Sequence, residues 1–494
     1  MQTLQTTSTS LSKSGYRERV MACWLGKAVG GTLGMPFEGH DGPLDLTFYR
    51  PVPTTMLPND DLDLQVVWGC VLDQMAVPRV DRHVLAKAWL DHVEFPWDEY
   101  GVAVRNLKLG IKPPLSGAYD NYFINAMGAP IRSEIWACLA PGNPELAAAY
   151  AYEDACVDHA DDGIWAEVFL AALESAAFVE TDTDVLLDRS LAVLPADSKT
   201  RLAVEDTRRW FAKSGDWKAV RNQIVEFHGS DNFTYAPMNI AFTVLGWLAS
   251  HGDFSEAICI AVNCGKDTDC TGATVGSLMG ILDPNCIPQR WLDPIGSSLV
   301  LSPGIVGLHA PSSLDGFTDL ILRLADRLSG EAPKVPDEDQ SAERFGFDVI
   351  AKFVSEMPAT IAAPSLDDGK PMHLPGCYVR MPASEWTGEV LLLRYEFTLD
   401  KAGSTRVMVN TRGEMAAWID GKFAFGASAS PMVPSLHRAP KDQMIVLNLE
   451  AGRHELIAAI RRPTTGDAEL VTGVGDGPTA IWHPWAFLGG SPAK

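Results

Sequence analysis

The sequence predicts a multidomain chain: an all-α domain at residues 15–329, a linker at 330–345, and a smaller all-β sandwich at 346–494. Three observations predict it. At 494 residues the chain is too long for one ordinary core, so two domains are expected. From about Tyr16 to Leu328, apolar residues recur at three- and four-residue spacing, the period of helices with one buried face. Beyond a stretch rich in proline and charge, the pattern changes to short β-rich runs punctuated by glycine turns.

The helical expectation rests on segments such as Val84, Leu85, Ala88 and Trp89, or Ile164, Trp165, Val168, Phe169 and Ala172. Alanine-rich ELAAAYAYEDA (145–155) adds high helix propensity and allows close helix packing. GEAPKVPDEDQSAER (330–344) has linker composition. After it, EVLLLRYEFTL (389–399), STRVMVNTR (404–412), MAAWIDGKFAFG (415–426), QMIVLNLEAG (443–452) and HELIAAIRR (454–462) read as strands. Asp420-Gly421 and Ala451-Gly452 supply turns between antiparallel neighbours.

Composition narrows the setting. Hydrophobic residues make up 46% and charged residues 21%, ordinary values for a soluble globular protein. The apolar stretch around Ile240–Ala249 is far shorter than the ~20 residues of a membrane span. The N-terminal sequence lacks the apolar core of a secretory signal. Nine cysteines without a CxxC pair fit buried thiols in a reducing compartment, so a cytoplasmic protein is expected. A net charge of −23 argues against nucleic-acid backbones and anionic membranes as partners.

Three motifs carry acids: GKAVGGTLGMPFEG (26–39), read as a glycine-rich turn after a helix with Glu38 near its end; PNDDLDLQ (58–65); and NCGKDTDCTGA (263–273). Taken singly, the second and third are ordinary helix starts. Asn59 caps free N–H groups, and Asp60 and Asp61 favour the positive end of the helix dipole. Asp267 and Asp269 precede a helical run from Thr271 to Leu282. Together they are in excess, because capping needs one side chain per helix and these starts carry four carboxylates, with Asp63 close behind. Each close pair of carboxylates costs roughly 1 kcal/mol or more at intermediate dielectric. A divalent cation offsets that cost, and oxygen ligands suit Mg²⁺, Mn²⁺ or Ca²⁺.

On these motifs the chain resembles the ADP-ribosylglycohydrolase family, including dinitrogenase reductase-activating glycohydrolases, over roughly residues 16–310. GMPFE (34–38) resembles the family's Pro-x-Glu motif, and Asn59-Asp60-Asp61 its Thr-Asp-Asp motif. Asp267, Asp269 and Cys270 resemble its Asp-x-Asp-Thr motif, followed by ATVGSLMGI (273–281) and IPQRW (287–291). The resemblance implies an all-helical domain binding one or two Mg²⁺ or Mn²⁺ ions, with Ca²⁺ as an alternative. It implies Asn59, Asp60, Asp61, Asp267, Asp269 and Cys270 as metal ligands and Glu38 and Asp61 as catalytic residues. Glu38 is the acid–base candidate; a loop salt bridge or cap is its plainer reading.

Two more segments take family positions. GAPIRSEIWA (128–137) stands where the family has Met-Arg-x-x-Pro beside its substrate, which marks Gly128 and Arg132 as substrate-binding. DHADDGIWAE (158–167) stands at the family's Thr-His, which adds His159, although a lone histidine is more often structural. PPLSGAYDNYF (113–123), with Asn121, reads either as a pocket-lining loop or as plain surface. Three positions depart from the family: Asn59 and Cys270 replace threonines, and Gly31 stands where many members have Asp. A thiol is a poor partner for a hard cation, so the number and identity of the ions stay open.

The implied reaction is cleavage of a ribofuranosyl-type N- or O-glycosidic bond, with ADP-ribose conjugates as the prototype substrate. The C-terminal domain, with WIDG (418–421) and AGRHEL (451–456), resembles accessory modules of carbohydrate-active enzymes and leaves a sugar- or nucleoside-derived furanoside as an alternative. Such modules also serve oligomerisation, which keeps a homo-oligomer open. Asp60-Asp61-x-Asp63 is similar to the Asp-rich motif of isoprenoid synthases, but there the second motif lies on a helix rather than in a glycine-flanked turn. A non-catalytic sugar or nucleotide binder, with Asn59 and Cys270 as relics, is the remaining alternative.

Overall fold

A computed structural model describes residues 11–336 and 340–491. The N-terminal stretch read as lacking a signal, positions 337–339 of the expected linker and the last three residues lie outside the described residues. The chain forms two compact units. Among the described residues, one comprises 11–93 together with Ile124–Pro336; the other comprises Glu94–Phe123 together with 340–491.

The first unit is helical. Its central pair is the helix Lys13–Gly34 and the helix Thr268–Leu282. Glycines set how they meet. A Cβ built on Gly26, Gly30 or Gly34 would stand 2.0, 1.9 or 2.2 Å from the backbone oxygen of Gly276, Gly272 or Thr268 respectively. A Cβ on Gly280 would stand 2.3 Å from the Ala22 oxygen, which completes an antiparallel seam. Backbones in such contact leave no room for a methyl group. The segment read from sequence as a turn after a helix is therefore helix as far as Gly34, followed by the 3-10 turn Met35–Phe37. Its glycines pack a helix rather than bend a loop. The late helix likewise begins at Thr268, not at Thr271, so Asp269 lies inside its first turn.

A third helix, Asp60–Gln74, starts at Asn59, whose side chain accepts from the Asp61 N–H. Eleven of its fifteen residues are buried, so it runs through the core rather than along the surface. Among the described residues, no helix is long and apolar enough to cross a membrane. All nine cysteines are free thiols.

The second unit is built on ten strands: β1 (Phe347–Val354), β2 (Lys370–Leu374), β3 (Tyr378–Met381), β4 (Val390–Leu399), β5 (Gly403–Asn410), β6 (Met415–Ile419), β7 (Lys422–Ala427), β8 (Met444–Leu449), β9 (Gly452–Arg461) and β10 (Ala468–Asp476). They form two antiparallel sheets, ordered β2-β1-β4-β9-β6-β7 and β3-β10-β5-β8. Inward residues from both, among them Leu391, Leu393, Tyr395, Val407, Val409, Ala458 and Val474, share one core, as in a β-sandwich. Asp420 and Gly421, with φ of 47° and 77°, make the two-residue turn between β6 and β7 that the Asp-Gly dipeptide predicts.

The segment Glu94–Phe123 is joined to the strands of this unit by an ion pair at Asp98 and by hydrogen bonds to Asp120. The Arg438 guanidinium grips the Asp98 carboxylate, and Arg105 binds Asp120 at 2.8 Å. Asp120 in turn accepts from the backbone N–H groups of Cys377 and Tyr378, at 2.9 and 2.5 Å.

Candidate metal centre

The glycine seam decides what lies at its end. The loop that follows helix Lys13–Gly34 is tied to the one that precedes helix Thr268–Leu282, because Gly39 N–H donates to the Lys266 oxygen and Lys266 N–H to the His40 oxygen. Gly265 and Lys266 take left-handed φ values of 79° and 71°, which turns the chain sharply into the helix. Asp267 then occupies the N-cap position, but its side chain makes no capping bond. That separates the two acidic helix starts, since Asn59 caps its helix and Asp267 does not.

Two sets of three donors result. Asp61, Asp269 and Cys270 each offer one ligand atom, and so do Glu38, Asp267 and Asp269, with the atoms in each set within 4.8 Å of one another. Two ligands on one cation stand no further apart than about twice a bond of 2.0–2.3 Å, so both sets have the right scale. Asp269 belongs to both. Asp61, Asp267 and Asp269 are buried, whereas Glu38 is exposed at the rim. Asp60 is half-buried and belongs to neither set. Its charge nonetheless acts on Asp61 and Asp269.

The electrostatics are those of a site short of positive charge. Burial, followed by repulsion from Glu38 and Asp60, pushes the Asp269 carboxyl up to about 7. Burial, then Asp269 and Glu38, raises Asp267 well above the usual carboxylate range. Asp61 is raised by burial against the pull of Lys27. Among the described residues, one oxygen of Asp61 and one of Asp269 (Oδ1 in each) are buried with no hydrogen-bond partner. Asp154, Glu167 and Glu174 also keep such oxygens, but only here do they lie where acids of both donor sets crowd together, and a divalent cation remedies both the crowding and the missing partners. On this observation the residues present fit a metal ion.

Sequence reasoning missed the layer beneath. Lys27, 1% exposed, places its ammonium 2.8 Å from Glu134 Oε1 and 3.6 Å from Asp61 Oδ1. Gln65 donates to Glu134 Oε2 and to the Asp61 carbonyl, both at 2.8 Å, and accepts from Ile135 N–H. The available signal was a lone lysine in an otherwise apolar stretch of helix, which a surface reading does not explain.

Of the remaining sequence-predicted residues, Asn59 borders the cluster and the others lie apart from it. Asn59 gives its oxygen to the Asp61 N–H at 2.8 Å and turns its amide nitrogen to Asp269 Oδ2, at 3.5 Å. It therefore faces the cluster as a donor. A Cβ on Gly31 would stand 3.1 Å from that nitrogen. Arg132, fully buried, bonds Asp154 through Nε and Asp158 through both terminal nitrogens, and donates to the Gly128 carbonyl at 2.7 Å. His159 Nδ1 lies 3.1 Å from Asp158. Gly128, Arg132 and His159 thus share one buried network, to which Trp68 and Trp136 add N–H bonds on Asp154. None of the three is in either donor set. Asn121 belongs to the second unit, where its amide donates to the Gly117 carbonyl and its oxygen accepts from Phe123 N–H.

A family model described as ADP-ribosylglycohydrolase matches residues 12–337, about two thirds of the chain. Among solved structures, the chain is similar to one described as an ADP-ribosylglycohydrolase-related protein complex. The identity is 22% and the TM-score 0.46, over 64% of this chain and 99% of that one. It is also similar to a β-glucosidase from Kluyveromyces marxianus in complex with glucose, at 16% identity and a TM-score of 0.21, over 26% of this chain and 16% of that one. No curated protein matches it.

Proposed function

The chain belongs to the ADP-ribosylglycohydrolase family, and from that premise we propose that it is a metal-dependent glycoside hydrolase cleaving a ribofuranosyl-type N- or O-glycosidic bond, with ADP-ribose conjugates as prototype substrates. One observation carries the reading: Asp61 and Asp269 each keep a buried carboxylate oxygen with no hydrogen-bond partner where acids from three chain segments converge. Mg²⁺ or Mn²⁺ bound there would offset the crowding and supply a Lewis-acid hold on the sugar hydroxyls.

The chain's own residues divide the remaining work. Asp267 and Asp269 orient the sugar end of the substrate from the start of their helix. Asp61, held beneath by Lys27, stabilises positive charge developing on the sugar ring. Glu38, at the exposed rim, accepts a proton as a water oxygen bonds to the anomeric carbon. The bond from that carbon to the leaving nitrogen or oxygen breaks, the leaving atom keeps the electron pair and takes a proton from solvent, and Glu38 returns its proton to solvent. Gly128, Arg132 and His159 brace the turn Pro130–Arg132, so their contribution to substrate binding runs through position.

The test is a hydrolysis screen over ADP-ribose conjugates, nucleosides and aryl pentofuranosides, in chelator and then with Mg²⁺, Mn²⁺ or Ca²⁺. Turnover should require an ion and fall roughly 100-fold or more in Asp269→Asn, as when a group acting on transition-state charge is removed. Furanoside turnover that persists in Asp269→Ala would overturn the mechanism. Tight sugar binding with no turnover would return the binding-protein reading.

A further inference from the structure

The two donor sets differ in one atom. Glu38, Asp267 and Asp269 offer oxygen only, whereas the other set replaces one oxygen with the Cys270 sulfur. That sulfur points into the cluster: Sγ lies 3.8 Å from Asp61 Oδ2, with an Asp269 oxygen in the same set of three. Asn59 does not restore an oxygen, because its own is committed to the helix cap and its amide nitrogen faces Asp269.

Charge separates the sets as well. Lys27 stands 3.6 Å from the Asp61 oxygen that has no hydrogen-bond partner. Its ammonium therefore offsets negative charge at the sulfur-bearing set. A hard, reluctantly dehydrated ion such as Mg²⁺ depends on that charge and on oxygen donors. A thiophilic ion gains instead from the more covalent bond to sulfur.

We propose that the centre is unsymmetrical: Asp61, Asp269 and Cys270 take a thiophilic divalent cation such as Zn²⁺ or Co²⁺, while Glu38, Asp267 and Asp269 take a hard one such as Mg²⁺ or Mn²⁺. Asp269 is common to both sets, so filling one alters the other. The proposal rests on the metal-centre reading above and specifies which ion each half accepts.

The test needs no substrate. The full chain, stripped with chelator, is titrated with Co²⁺ and followed in the near ultraviolet for a sulfur-to-cobalt charge-transfer band. Bound metal is then measured after equilibration with mixed Zn²⁺ and Mn²⁺. The native protein should show the band and retain both ions. Cys270→Ser should lose the band and roughly tenfold or more of Zn²⁺ affinity, with Mn²⁺ affinity changed less than about twofold. Cys270→Thr is the second variant, in case the serine protein folds poorly. A native protein without the band, or a band that persists in Cys270→Ser through another cysteine, overturns the proposal. If Mn²⁺ still binds in those cases, the metal-centre reading stands and only this inference falls. If neither Mn²⁺ nor Zn²⁺ binds the native chain, both fall together.

Discussion

Two groups of buried carboxylates in the helical unit have opposite fates. Around Arg132, the chain supplies its own counter-charge: Asp154 and Asp158 take the guanidinium's hydrogen bonds, and His159 closes against Asp158. At the candidate metal centre, Asp61 shares the Lys27 ammonium with Glu134, and Asp267 and Asp269 have no ion pair among the described residues. Burial alone does not distinguish the groups. An unpaired oxygen does not either, since Asp154 Oδ1 lacks a hydrogen-bond partner too; what differs is that Asp154 and Asp158 each carry an ion pair with Arg132, and where the protein supplies none, an outside cation is the natural partner.

Breaking the compensated side should have the largest effect. Arg132→Met leaves Asp154 and Asp158 without their cation, and about 3–5 kcal/mol of stability should be lost. Urea unfolding would show it, and added Mn²⁺ should not restore the loss. On the other side the sign reverses. Asp269→Asn relieves repulsion, so in chelator the variant should be as stable as the native protein or about 1 kcal/mol more stable. It should also lose most of the ~2.7 kcal/mol that an ion at 100-fold its dissociation constant confers on the native chain. Equal stabilisation of both proteins by Mn²⁺ would put the ion elsewhere.

The smallest effect is in pH dependence. Burial pushes Asp158 up, but Arg132 and then His159 pull it down, to about 2. A depressed carboxyl contributes stability that is present above its unfolded value of ~4 and is lost as pH falls through the folded value. Asp269, raised to about 7, behaves oppositely: its contribution is complete below ~4 and lost as pH rises through 7. In chelator, stability should therefore fall from pH 5 to pH 8 by an amount on the order of 1–2 kcal/mol. Saturating Mn²⁺ should remove that slope and leave the acid limb near pH 2 unchanged. Melting temperatures at pH 2, 5 and 8, each in chelator and in Mn²⁺, would decide it.

The division into helical and β halves was legible because side-chain period is a local property. The Asp-Gly turn between β6 and β7 was legible for the same reason. The excess of acids at two helix starts was also visible, since counting charges needs no coordinates. The seam was misread because Gly26, Gly30 and Gly34 suggest a bend when taken one at a time; only their four-residue spacing marks a helix face. Lys27 and Glu134 escaped notice because their pairing spans 107 positions. Helical periodicity in Glu94–Phe123 likewise says nothing of its partners, which include Cys377, Tyr378 and Arg438.

Contact between bare backbones has a further consequence. Side chains in an ordinary helix interface have rotamers, so such an interface can yield by repacking. At Gly26, Gly30 and Gly34 no torsion is available to absorb a strain. The seam thus behaves as a gauge block, fixing the gap between the Glu38 loop and the Asp267 turn to within the compliance of the peptide chain. Were a cation bound between them, that stiffness would select it by radius, a property that no single residue possesses.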